Sequence, residues 1–94
     1  MVSIHPGEQL KEEFLPDFGI TAYRLAKEIG VAESTISRLM AQKARVTPAL
    51  AVRLGAFFGT TAEMWMNMQN NFDLNKERER PFTLEHTAKD FIHV

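Results

Sequence analysis

Cysteine is absent from this 94-residue sequence. That excludes disulfide staples and thiolate metal sites, and it fits a reducing compartment. Glycine is scarce, at five residues, and none falls in a phosphate-cradling loop, so glycine-loop nucleotide chemistry has no foothold. No apolar run approaches the ~18 residues that span a bilayer. Residues 1–7 have neither the basic start nor the apolar stretch of a signal peptide. A cytoplasmic location with no membrane partner is therefore expected. His5, His86 and His93 fall at no metal-ligating spacing. Glu12 and Glu13 are adjacent and point apart on a helix, and Ser34 and Ser37 lack a base within their own motif. No catalytic residue, metal site or cofactor is expected, and the chain does not read as an enzyme.

Hydrophobic residues make up 45% of the sequence and aromatic residues 10%, enough for the chain to fold rather than stay disordered. The length suits one small core, hiding roughly 60–65% of the unfolded surface. The net charge of −1 conceals a pattern. Residues 1–20 set Lys11 against Glu8, Glu12, Glu13 and Asp17. Residues 21–53 carry Arg24, Lys27, Arg38, Lys43, Arg45 and Arg53 against only Glu28 and Glu33, a net of +4. Residues 54–94 are again acidic. A basic middle between acidic ends is either ordinary solvated surface or the footprint of a polyanion.

The order of apolar residues and breakers describes short helices. Pro6 fits a first helical turn, where its missing N–H costs nothing. Leu10 and Phe14 repeat at i, i+4 beside Leu15, and Pro16 and Gly19 are expected to stop that helix. Thr21 can cap a second helix, with Ile20 and Leu25 as its hydrophobic staple. Ala22, Leu25, Ala26 and Ile29 share one face, and Gly30 ends the element. Only Val31 and Ala32 separate it from a third stretch, residues 33–40, with Ile36, Leu39 and Met40 apolar. Thr47-Pro48 caps a fourth, in which Ala51, Leu54 and Phe58 are helically spaced before Gly59. Thr60 with Glu63 makes a capping box for a fifth, whose buried face would carry Met64, Trp65, Met68 and Phe72. Strand signals are weak, so the fold expected is all-α, with five helices over residues 1–75. Residues 76–94 read as a charged linker, Lys76-Glu77-Arg78-Glu79-Arg80-Pro81, and an apolar C-terminal extension.

Residues 21–40 carry the strongest functional signal. One short helix ends at a glycine, takes a tight turn and starts another, the spacing of a helix-turn-helix. Ala26 is small where the two helices must cross. Val31 and Ile36 can plug the angle, and Leu39 can tie the second helix to the body. The outward positions of that helix are polar: Glu33, Ser34, Thr35, Ser37 and Arg38. The pattern Leu25-Ala26, Ile29-Gly30-Val31 and Ile36 resembles Cro/repressor-like DNA-binding domains. Further matches widen the likeness: His5-Pro6-Gly7-Glu8 with Leu10, Thr35-Ile36-Ser37-Arg38, Thr47-Pro48, Arg53-Leu54, Gly59-Thr60-Thr61 leading to Trp65 and Gln69, and Asp73-Leu74. Over about residues 4–75 the sequence resembles the HigA antitoxin family, also called VapI-type. One departure is Ala32, which stands where such proteins often have a capping Ser or Thr.

The resemblance implies an antitoxin that represses its own operon and neutralises a co-encoded HigB/RelE-like ribonuclease toxin. In a helix-turn-helix the second helix enters the major groove. Glu33, Ser34 and Arg38 are then the candidate base contacts, with Arg38 suited to guanine O6/N7. Glu33 reads equally well as an anion placed at a helix start. Thr21, Arg24, Thr35, Lys43 and Arg45 are candidate phosphate contacts. Lys27 and Arg53 are weaker ones, Arg53 being placed to hold a carboxylate instead. Tyr23 suits a phosphate or surface packing. His5 should cap or pack on the first helix. So small a domain normally reads double-stranded operator DNA as a homodimer. Met66, Phe82, Leu84, Phe91, Ile92 and Val94 are the candidate dimer or partner surface. Two other readings stay open: a free-standing repressor without a toxin, and a helical protein-interaction module.

Overall fold

The computed structural model describes residues 3–92; Val94, and with it one candidate interface residue, lies outside them. The described residues contain five helices and no strand. The first, α1, covers residues 6–18 in three consecutive pieces, Pro6–Gln9, a π-turn at Leu10–Phe14, and Leu15–Phe18. Then follow α2 (Ala22–Ile29), α3 (Glu33–Met40), α4 (Pro48–Phe58) and α5 (Ala62–Arg78), with a 3₁₀ turn at Ala88–Phe91. None is long and apolar enough to cross a membrane.

Pro16 does not stop α1, contrary to the expectation from sequence. The helix widens just before it, the Leu15 N–H returning to the Leu10 carbonyl five residues back. A π-turn gives the pyrrolidine room that a regular α-turn would deny it. Gly19 alone ends the helix, at φ +61°. The cap of α5 also differs. Thr61, not Thr60, accepts the first-turn N–H, from Met64 at 3.1 Å. Thr60 Oγ1 instead accepts from the buried Trp65 indole at 2.9 Å. Finally, α5 runs through Lys76, Glu77 and Arg78, so the alternating charges begin as helix and not as linker.

The apolar faces converge on one core: Leu10, Leu15, Leu25, Ala26, Ile29, Ile36, Leu39, Val46, Leu50, Ala51, Leu54, Phe58 and Trp65. Trp65 is fully buried. Phe14 sits 4.9 Å, centroid to centroid, from both Phe58 and Trp65, separations at which aromatic pairs attract beyond simple burial. Met64, Met66 and Met68 pack against this core from α5. Residues 79–92 leave it entirely, and every one of them is exposed. The molecule accordingly measures 60 × 24 × 22 Å.

Candidate nucleic-acid interface

The α2–α3 unit is built on the Gly30 turn. Gly30 has φ +75°, and the N–H groups of Gly30 and Val31 both return to the Ala26 carbonyl. Left-handed closure of this kind favours glycine. Arg53 of α4 donates from Nη1 to the Ile29 carbonyl, placing a cation at the C-terminal end of α2, where the helix dipole favours one. Arg53 thus holds a backbone carbonyl and, among the described residues, no carboxylate. Ala26, Ile36 and Leu39 are buried at the crossing, with Val31 half-buried beside them. Overpacking such a crossing costs about 1–3 kcal/mol, which is why a small residue belongs at position 26.

The inner face being filled, the rest of α3 is turned outward. Glu33, Ser34, Ser37 and Arg38 are exposed and Thr35 is half-buried. At the start of the helix Ala32 takes an extended, cap-like backbone (φ −67°, ψ 145°) but offers no side-chain acceptor. Among the described residues, the N–H groups of Glu33 and Ser34 meet no acceptor.

The far end of α3 is closed by the loop that follows it and held by α1. Gln42 lies at φ +59°, donating to Leu39 O at 3.0 Å while Lys43 donates to Arg38 O at 2.9 Å. This is a Schellman closure with a non-glycine residue in the left-handed position. From α1, Gly7 presses on the Leu39 carbonyl so closely that a Cβ would lie 1.7 Å from the oxygen. The Gly7 N–H donates to His5 Nδ1 at 2.9 Å, so His5 caps α1. The buried His5 ring also meets Phe72 edge-on at 4.8 Å. Burial pushes the His5 pKa down, with Asp73 partly opposing.

From α5, the buried Gln69 fixes the loop that follows α3. Its Oε1 accepts from Val46 N at 2.7 Å and its Nε2 donates to Asp73 Oδ1 at 3.1 Å. Asp73 Oδ2 in turn accepts from Arg45 Nη2 at 2.6 Å. The Arg45 hydrogen bond holds the Asp73 carboxyl below the usual carboxylate range.

Several expected phosphate contacts are therefore engaged inside the protein. Thr21 Oγ1 accepts from Arg24 N at 3.1 Å as the cap of α2. Arg24 pairs with Glu28 at 2.8 Å, and Arg45 pairs with Asp73. Lys43 is exposed, and among the described residues neither it nor Arg38 has a carboxylate within salt-bridge distance. Arg38 Nη2 donates to Lys43 O at 3.4 Å, which joins the outer face of α3 to the following loop. Tyr23 is 59% exposed. Gly7, Gln42, Gln69 and Asp73 were not singled out for these roles by the sequence. For three of them the only signal was membership of the motifs that carry the family resemblance; for Gln42 there was none.

A tight α2–α3 pair that shows a polar outer helix from a small helical body defines a helix-turn-helix protein. The helix-turn-helix family model matches residues 10–65. The chain is 42% identical over 74 residues to Virulence-associated protein I of Dichelobacter nodosus, covering 79% of this chain and 68% of that protein. It is equally 42% identical over 74 residues to Antitoxin HigA-1 of Vibrio cholerae, covering 79% and 70%. Its structure is similar to that of Pseudomonas aeruginosa antitoxin HigA solved with the higBA promoter, with TM-score 0.78, 36% identity and coverage of 81% and 83%. The chain belongs to the HigA antitoxin family of helix-turn-helix proteins.

Proposed function

We propose that this chain is a cytoplasmic, non-enzymatic antitoxin that binds operator DNA as a homodimer, represses its own operon and neutralises a co-encoded ribonuclease-type toxin. The observation that carries the reading is the outer face of α3. Its polar side chains are exposed, its inner side chains are buried, and a relative of the same fold was solved with promoter DNA. Arg38 has the reach and donors for guanine, with Ser34 and Glu33 one turn nearer the helix start. Lys43 supplies a phosphate contact that positions without specifying. Thr21, Thr35, Arg24 and Arg45 are the remaining phosphate contacts in this reading, the two arginines after exchanging their internal carboxylates for phosphate.

The partner surface is the exposed C-terminal segment, residues 79–92. Phe82, Leu84, Phe91 and Ile92 are 78%, 62%, 70% and 65% exposed, and large apolar residues left open together mark contact surfaces. Met66 is half-buried against the core and offers a partner only its edge. The test is a gel shift on the chain's own promoter, with and without the neighbouring gene product. Arg38→Ala should lose about 1–3 kcal/mol on operator and relax discrimination at one base pair per half-site. Lys43→Ala should weaken all sequences alike and shrink the salt slope by about one. A chain ended after Arg80 should bind operator poorly and size as a monomer. Equal losses on operator and random DNA for Arg38→Ala would sink direct readout. A promoter complex with no toxin-like neighbour would favour the free-standing repressor.

A further inference from the structure

Arg45 sits on the loop that continues the α3 surface, yet its guanidinium is already committed to Asp73 at 2.6 Å. The carboxylate is not there by chance of rotamer. Gln69, 1% exposed, donates to its other oxygen and is itself anchored on the Val46 backbone. A fixed carboxylate offers an arginine the same oxygen acceptors that a phosphate does. The pair is nonetheless open to solvent, with side chains 56% and 41% exposed, so it can part at little expense. Lys43 beside it and Lys76 across the same hollow have no such carboxylate among the described residues.

Resting on the DNA-binding reading above, we propose that Asp73 is an internal substitute for a DNA phosphate and so a specificity-determining residue. Off the operator it holds Arg45. On the operator, base contacts by α3 fix the register, a backbone phosphate arrives at Arg45, and the guanidinium changes partner. On random DNA no register is fixed, Arg45 stays with Asp73, and the duplex meets one cation fewer. Asp73 thereby weakens non-specific binding more than operator binding.

Asp73→Asn tests this, because the amide keeps an oxygen for Gln69 and loses only the charge. Affinities for the promoter duplex and for a random duplex of equal length are measured against salt concentration, for the wild-type chain, Asp73→Asn, Arg45→Gln and the double variant. Asp73→Asn should tighten random-duplex binding roughly two- to fivefold at low salt, steepen its salt slope by about 0.9, and lower operator preference. The gain should vanish when Arg45 is also replaced. Arg45→Gln alone should shrink the operator slope by about 0.9 and leave the random slope unchanged; it does not require Asp73→Asn to fold. An operator loss for Asp73→Asn with an unchanged slope would make the pair a loop brace and overturn the proposal. So would an equal gain in the Arg45→Gln background, which would reflect net charge alone. Absence of salt-dependent DNA binding by the wild-type chain would instead refute the DNA-binding reading itself.

Discussion

The two ends of α3 are treated in opposite ways. Its C-terminal end is gripped by Gly7 from α1 and by the Gln42 closure, and the loop beyond it is fixed by Gln69 from α5. Its N-terminal end starts at an alanine with no side-chain cap. A helix that must place side chains in a groove needs rigid support, and support can come only from the end turned to the body. The open end carries first-turn N–H groups and the positive end of the helix dipole. Those are suited to meet an anion, and a capping side chain would occupy one of them in advance. Rigidity and availability are thus divided along one eight-residue helix.

The largest change should come from breaking the grip. Gly7→Ala would drive a methyl group into the Leu39 carbonyl, where the ideal position lies 1.7 Å from a backbone oxygen. No rotamer relieves that contact, so α1 and α3 must separate. The expected loss is about 3 kcal/mol or more, the upper end of overpacking costs. For a domain of this size that lowers the melting temperature by about 12 °C or more. Thermal melting followed by circular dichroism checks it. A change below a few degrees would mean that α1 does not hold α3.

This contrast also shows what could be read from sequence. Helix positions were legible because their signals are local: Thr21 and Thr47 accept the N–H groups that capping requires, and Gly19, Gly30 and Gly59 all have positive φ. The outward face of α3 was legible from helical periodicity. Where local rules failed, a tertiary demand had overruled them. Pro16 is accommodated by a π-turn, and Thr60 is taken by the Trp65 indole. Lys76, Glu77 and Arg78 are good helix formers that simply extend α5, whereas alternation of charge suggested a linker. The grip itself left little local trace. Gly7 meets Leu39, and Gln69 meets Val46, across long stretches of chain that no spacing rule connects. Gln42 stands in a conformation that usually calls for glycine, so its sequence pointed away from its role.

A smaller effect, of opposite sign, should follow from closing the open end. Ala32 already has the extended backbone of an N-cap, so Ala32→Ser needs no rearrangement to accept a first-turn N–H. Replacing alanine by a capping residue gains about 1 kcal/mol, raising the melting temperature by roughly 4–8 °C. If the open end serves DNA, that added stability should bring no matching gain in operator affinity, because serine takes an N–H otherwise available to an anion. Melting and operator titration on the same sample separate the two quantities. A gain in both would argue that the missing cap has no bearing on binding.

The finest test of the grip is pH. His5 is buried, and its Nδ1 is the acceptor for the Gly7 N–H, so protonation would remove the lone pair that caps α1. Burial lowers the His5 pKa below its ordinary value of 6.5; Lys76 lowers it further, while Asp73, Glu8 and the Ala44 backbone act the other way. The sign follows from linkage. Between the lowered folded value and 6.5 the unfolded chain binds more protons than the folded one, so stability rises with pH there. The His5 contribution is complete above 6.5, declines as pH falls through that value, and levels off below the folded pKa. His5→Asn keeps an oxygen acceptor at the cap position, where asparagine is favoured, but cannot titrate. Melting temperatures from pH 7.5 down to pH 5 should therefore fall more steeply for the wild-type chain than for this variant. Parallel curves would remove His5 from the set of groups that sense pH, and would leave its role as packing against Phe72 and capping Gly7 alone.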